Sequence, residues 1–64
     1  MGLNERQIKA VGHVKEKGII SLSLFKTLVP EVSDKTLYRD LQRLVKRELF
    51  KKVGEKKGRK YKLL

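Results

Sequence analysis

The chain has 64 residues, no cysteine, one histidine and a formal net charge of +10, and this length allows one domain with a single core over 1–64. Without cysteine there is no disulfide framework and no thiolate metal site, and one histidine cannot build a metal site alone. No apolar run approaches the roughly 20 residues of a membrane span, so we expect a soluble, cytoplasmic module without membrane contact, metal, cofactor or small-molecule substrate.

The first helix is predicted over 4–17, and its start carries two entry signals. Asn4, with Gln7 three residues later, resembles a capping box. Leu3 and Ile8 occupy the positions of a hydrophobic staple around this cap. The apolar residues at helical spacing, which we expect to face the core, are Ile8, Val11 and Val14.

Two glycines mark the end and the middle of this helix. Gly18 is a natural stop, because glycine adopts the left-handed conformation that ends many helices. Gly12 weakens the helix by about 1 kcal/mol relative to alanine. We expect the close approach of a neighbouring helix to compensate for this cost.

A short strand over 19–21 and a second helix over 22–29 follow. The strand rests on β-prone residues, and Ser21 or Ser23 can cap the helix. Pro30 ends the helix, because proline lacks an amide hydrogen and disfavours helical backbone before it. The inner face of this helix is predicted to hold Leu24, Phe25 and Leu28.

The third helix is predicted over 34–47, with Ser33 as its cap and Val32 and Leu37 at the staple positions. At about 100° per residue, one face is apolar and the opposite face is polar and cationic. The apolar stripe is Leu37, Leu41, Leu44 and Val45. The opposite face collects Lys35, Thr36, Arg39, Gln42, Arg43 and Lys46, with Tyr38 and Asp40 on the borders.

After Glu48 the pattern changes to a hairpin over 49–63, with a glycine-bracketed turn from Gly54 to Gly58. In the second strand Tyr61 and Leu63 share the predicted core face, so that Lys60 and Lys62 point outward. The first strand leaves two registers open, one that buries Leu49 and Val53 and one that buries Phe50, and a local twist would bury all three.

The positive charge is concentrated in the second half of the chain. Residues 35–64 hold 12 Lys and Arg against three acids, whereas residues 1–34 hold five basic and four acidic residues. A small domain with one cationic half is typical of a protein that binds a polyanion, and nucleic acid is the commonest polyanion. The alternative is a lysine-rich solvated surface that has no partner.

The order helix, short strand, helix, helix, hairpin is that of a winged helix-turn-helix, an α+β and mainly α fold with a C-terminal β-hairpin wing. Residues 32–44, V-S-D-K-T-L-Y-R-D-L-Q-R-L, resemble the recognition helix of DeoR-type DNA-binding domains, with the pattern V-S-x-x-T-x-x-R-D-L-x-x-L. The opening L-N-E-R-Q and the closing G-R-K-Y are similar to the C-terminal winged-helix modules of Fic-type and RecG-like proteins. Glu48 stands where the family usually has glycine, so we expect a left-handed backbone there.

The resemblance implies that the third helix enters the major groove of double-stranded DNA, with Ser33, Lys35, Thr36 and Arg39 among its contacts. It also implies that Lys56, Lys57 and Arg59 of the wing touch the backbone or the minor groove. The full candidate nucleic-acid-binding set is Ser33, Lys35, Thr36, Tyr38, Arg39, Gln42, Arg43, Lys46, Lys56, Lys57, Arg59 and Lys60.

The chemistry of these residues leaves several roles open. Arg39 can hold a phosphate, which is the commoner contact, or read guanine through two hydrogen bonds. Tyr38 is either a DNA contact or half-buried core. Lys60 and Lys62 either bind DNA or keep a sheet edge from pairing with other chains. Asp40, as an acid beside a cationic face, is expected to orient an arginine or pair with the first helix.

The sequence thus favours a double-stranded DNA-binding module, either of a transcriptional regulator or as the DNA-binding part of a larger protein. A homodimer would bind more tightly, because modules of this kind usually need a second copy for tight specific binding. The alternative is a winged-helix protein-interaction or dimerisation module that does not bind DNA, with Phe50 and Leu64 as an apolar contact patch. Catalysis is not expected, because no nucleophile, acid–base pair or phosphate-cradling glycine loop is apparent.

Overall fold

The computed structural model describes residues 2–54 and 59–64. In chain order the elements are α1 (Glu5–Lys17), β1 (Ile20–Ser21), α2 (Leu22–Leu28), α3 (Asp34–Lys46), β2 (Phe50–Val53) and β3 (Lys60–Leu63). The strands form one antiparallel sheet in the order β1-β3-β2. This mainly helical α+β arrangement confirms the predicted fold class and is compatible with a winged-helix fold.

The helices begin where their caps predict. At α1 the Asn4 side chain accepts a hydrogen bond from the Gln7 amide at 2.7 Å, and the Gln7 side chain accepts one from the Asn4 amide at 3.0 Å. This reciprocal pair is the predicted capping box. Ser21, rather than Ser23, caps α2, and Ser33 caps α3.

The helix ends also follow local rules. Gly18 has a φ of 92° and its amide donates to the Val14 carbonyl, which ends α1. Glu48, after α3, has the predicted left-handed backbone with a φ of 62°. Its amide donates to the Val45 carbonyl and the Leu49 amide donates to the Leu44 carbonyl, which is the bond pair of a Schellman motif. Glutamate in this position costs about 1–2 kcal/mol of backbone strain that glycine would avoid.

The core lies between the three helices and one face of the sheet. Leu37, Leu41 and Leu44 of α3 are fully buried, as the predicted stripe requires, and Val45 is partly buried. The other buried apolar residues are Ala10, Val14, Ile20, Phe25, Val29, Phe50 and Tyr61.

The predicted inner face of α1 is correct at buried Val14 and at Val11, which is partly buried against the core, and wrong at Ile8. Ile8 is 56% exposed, and the buried residues of α1 are Gln7, Ala10 and Val14. These three positions recur at spacings of three and four, whereas Ile8 is turned about 100° away from Gln7. Polar Gln7 is buried because its side chain makes the capping bond and donates to the Asp40 carbonyl at 3.2 Å.

Three other burial predictions need correction. On α2, Phe25 is buried but Leu28 is 37% exposed, and Val29 after the helix end takes its place in the core. In β2 the register that buries Phe50 is the correct one, so Leu49 and Val53 stay 39% and 38% exposed and no twist buries all three. Leu63 is also 39% exposed, although it is on the same strand face as buried Tyr61, because it ends β3.

A buried carboxylate fixes α3 against the start of α1. Asp40 is 4% exposed and accepts hydrogen bonds from Asn4 Nδ2 at 3.1 Å and from Arg6 Nε at 2.5 Å. Arg6 Nη2 adds a longer bond of 3.3 Å. The expected pairing of Asp40 with the first helix is therefore confirmed, and it sets the orientation of α3 about its own axis.

The predicted role of Gly12 is wrong, because a Cβ atom built there meets no atom within 4 Å among the described residues. Gly12→Ala is therefore expected to raise the free energy of unfolding by about 1 kcal/mol through helix propensity alone. Gly18→Ala is the matched control, because the backbone at Gly18 is left-handed, and it should lower stability. Chemical denaturation measures both changes. Destabilisation by Gly12→Ala would show that α1 does have a close neighbour at this position.

Candidate nucleic-acid interface

The outward face of α3 is a cationic strip. Because Leu37, Leu41 and Leu44 occupy the core, the helix turns its polar residues away from it. The exposed cations of this face are Lys35, Arg39, Arg43 and Lys46, and the partly buried polar residues are Thr36 and Gln42. Arg47, directly after the helix and outside the candidate set, is also exposed.

The first turn of α3 is less open to an anion than the sequence indicates. Ser33 Oγ accepts from the Thr36 amide at 3.3 Å and contacts Thr36 Oγ1 at 3.1 Å, so these two predicted residues are engaged with each other. Asp34, which was not among the candidates, is exposed in the same turn. Its carboxylate lies 3.9 Å from Lys26 Nζ, and this cation partly neutralises it.

A hydrogen-bonded cluster joins the middle of α3 to the segment that enters β3. The Tyr38 hydroxyl, on a side chain that is 37% exposed, accepts from Gln42 Nε2 at 2.7 Å and from Arg59 Nη1 at 3.3 Å. Both lone pairs of the hydroxyl are then used, and its own proton is free to donate outward. Tyr38, Gln42 and Arg59 were predicted as separate contacts, and the structure brings them together.

Arg59 is held as a cation in this cluster. The hydrogen bond to Tyr38 raises the pKa of Arg59 above its usual value. Beside it, burial raises the pKa of the Tyr61 phenol, and the nearby Arg59 charge only partly offsets this effect. Arg59 is therefore charged and Tyr61 neutral at physiological pH. Arg59 Nε is buried and has no hydrogen-bond partner among the described residues.

A groove of about 370 Å³ opens beside Arg59, between the starts of α2 and α3 and the entry to β3. Its polar lining is Ser21, Ser23, Lys26, Asp34, Tyr38 and Arg59. Its cations and hydroxyl groups can donate hydrogen bonds to an anionic group, and Leu22 and Tyr61 complete the lining. Within residues 2–54 and 59–64 no group of three His, Asp or Glu side chains is placed to hold a metal ion.

The remaining candidates of the hairpin are not all in this cluster. Lys60 directly follows Arg59, but strand alternation turns it to the sheet face opposite Tyr61. Lys60 is exposed there, away from Tyr38. Lys56 and Lys57 lie outside the described residues.

No protein-family model, curated protein or solved structure was found to match this chain. The resemblance to DeoR-type recognition helices therefore stays a prediction, and the function has to be inferred from the arrangement of side chains. No helix in the described part of the chain is long and apolar enough to cross a membrane.

If the Tyr38 hydroxyl holds Arg59, Tyr38→Phe should release the guanidinium. We expect a loss of about 0.5–1.5 kcal/mol in stability, the usual net value of a hydrogen bond. In an NMR spectrum the Arg59 Nε–Hε signal should move toward the position of a free arginine. Gln42→Ala is the matched control, because it removes the other donor and leaves the Arg59 bond in place. An unchanged Arg59 signal in Tyr38→Phe would contradict the link between α3 and β3.

Proposed function

We propose that this chain is a double-stranded DNA-binding module, in which α3 lies in the major groove and the segment around Arg59 contacts the phosphate backbone. The observation that carries the proposal is the division of α3 into a leucine face with no exposure and an outward face with four exposed cations. An α-helix fits the width of the major groove, and cations along its outer face neutralise phosphates on both sides.

The side chains of α3 divide by what they can reach. Arg39, Arg43 and Lys46 recur at spacings of four and three along the strip, which suits successive phosphates along a groove wall. Lys35, Thr36 and Gln42 are the candidates for base edges, because their amide, hydroxyl and ammonium groups match groove donors and acceptors. Tyr38 is a positioning residue, because its hydroxyl bonds orient Gln42 and Arg59.

The +10 net charge supports the same function at longer range. A strongly cationic small domain attracts a polyanion before contact and raises the rate of association. The proposed setting is the cytoplasm, at the nucleoid, within a transcriptional regulator or a larger DNA-binding protein. A second copy, as a homodimer or through a larger protein, would supply the affinity that one helix lacks.

A protein-interaction or dimerisation module remains the second candidate. Of the two residues expected to form its apolar contact patch, Phe50 is only 1% exposed and cannot contact a partner, whereas Leu64 is 70% exposed. The Leu64 amide donates to the Leu49 carbonyl at 3.0 Å, so that Leu49 and Leu64 meet at one end of the sheet. Gel filtration together with a mobility-shift assay on a random duplex discriminates the two: a dimer that shifts no DNA supports this second function.

Binding to a random duplex should depend steeply on salt. If the strip and Arg59 neutralise about five or six phosphates, log K should fall against log salt with a slope near −5. Arg39→Ala should reduce that slope by about one and weaken binding, while the unfolding midpoint stays unchanged because Arg39 is exposed.

The matched control for this experiment is Lys9→Ala, which removes one exposed charge from the face of α1 turned away from its buried residues Gln7, Ala10 and Val14. It should alter the slope far less than Arg39→Ala. Equal effects of the two variants would mean that binding reports only the net charge, and no binding at about 50 mM salt would reject the proposed function.

A further inference from the structure

The solvent-facing side of the sheet carries three lysines at neighbouring positions. In the antiparallel register Lys51 of β2 lies directly opposite Lys62 of β3, and Lys60 lies opposite Val53. Across the other ladder Lys60 pairs with Ser21 of β1. Lys51, Lys60 and Lys62 are all exposed. Directly opposed side chains start only about 4.5–5.5 Å apart at their Cβ atoms, so this face is a compact cationic patch. We call these three residues the sheet lysines.

The sheet lysines have no acidic neighbour among the described residues of their face. The ion pairs in the described part of the chain join Arg6 to Asp40 and Lys26 to Asp34, and neither involves the sheet. Like charges placed directly opposite each other in a sheet are destabilising. The arrangement therefore has a cost in the free protein, and an anion bound at this face would remove it.

Protection of a sheet edge does not account for Lys60. The strand order is β1-β3-β2, and Lys60 of β3 is paired on both sides, with Ser21 of β1 and with Val53 of β2. Lys60 therefore has no open edge to protect from other chains. Lys51, on the edge strand β2, and Lys62, which lies beyond the short β1 ladder, fit that explanation.

The sheet lysines also face away from the α3 strip. Arg59 reaches Tyr38 from the core side of the sheet, whereas Lys60 and Lys62 lie on the opposite side. The two cationic surfaces thus face outward from different sides of one small domain, whose extents are only 28 × 26 × 21 Å. Duplex DNA is stiff over tens of base pairs, and wrapping it around so small a body costs several kcal/mol. A separate duplex at the sheet lysines would avoid this bending cost.

We propose that the sheet lysines are a second binding surface for the phosphate backbone of double-stranded nucleic acid, so that one copy of the chain bridges two duplex segments. Lysines act as point charges without directional base recognition, so this contact is independent of sequence. The proposal rests on the proposed function, because bridging requires that α3 holds the first duplex.

The test is a capture assay at about 50 mM salt. One duplex is fixed to beads, the protein is added, and retention of a second, labelled duplex is measured. The protein should retain the labelled duplex. Lys51→Gln/Lys62→Gln should reduce retention at least fivefold, while its affinity for a single duplex in excess DNA changes less than twofold. Lys9→Gln/Lys15→Gln carries the same charge change on exposed positions of α1 and should retain as much as the wild type.

The possible failures are distinguishable. Wild-type protein that binds single duplex but captures no second one overturns the bridging proposal and leaves the proposed function intact, whereas absence of any duplex binding rejects both. An equal loss of single-duplex affinity in the sheet variant would place the lysines on the same duplex as α3. Sedimentation must show that the sheet variant keeps the oligomeric state of the wild type, because a dimer that the sheet substitutions dissociate would explain capture without a second surface. Binding of poly-glutamate at this face in place of duplex would assign it to an acidic protein instead.

Discussion

The hydrogen bonds that hold buried Asp40 against the start of α1 determine both the orientation of α3 and the charge of its outer face. Asp40 lies three residues before Arg43, so an exposed carboxylate at this position would pair with that cation of the strip. Instead the bonds from Asn4 and Arg6 draw it to the start of α1, and Gln7 adds a bond to its carbonyl. The same contacts fix the rotation of α3 that buries its leucines. One interaction therefore both orients the helix and keeps its outer face cationic.

The Tyr38 hydroxyl links α3 to the sheet through its hydrogen bond with Arg59. Because it bonds Arg59 just before β3 begins, the cation of the hairpin is set against the same helix as Arg39 and Gln42. Strand alternation then sends Lys60 and Lys62 to the opposite side of the sheet. The charge that the sequence concentrates in residues 35–64 is thus divided between two surfaces, each with its own orientation. This division is the basis of the proposal that one small domain binds two separate duplexes.

Local signals in the sequence predict much of the fold, and the errors occur where tertiary contacts decide. The caps at Asn4 and Ser33 and the leucine stripe of α3 depend on neighbouring residues alone, and they are correct. Ile8 was expected in the core because it is apolar, but buried Gln7 has its place since its polar groups are satisfied by Asn4 and Asp40. The β2 register was undecided from the sequence, because Leu49, Phe50 and Val53 are all apolar and only packing selects among them.

The sequence predicts the cations of the candidate site but not the contacts that bring its residues together. Helical period alone identifies the cations of α3, because an inward leucine stripe requires an outward polar one. The Tyr38 hydroxyl bonds both Gln42 and Arg59, and Arg59 lies 21 positions away in the sequence. No local pattern indicates these bonds. The opposite orientation of Lys60 needed the strand bounds of β3, and the place of β3 at the centre of the sheet needed the strand order.

The measurement that tests the central claim most directly is an NMR titration of the labelled protein with a short duplex. If the outward face of α3 is the primary DNA-binding surface, the amide signals that move first, at low ratios of DNA to protein, should fall in residues 33–47 and at Arg59. Core signals such as those of Leu41 and Leu44 should move little. Earliest changes along the exposed face of α1, around Lys9 and Lys15, or changes spread evenly over the exposed lysines, would contradict the account.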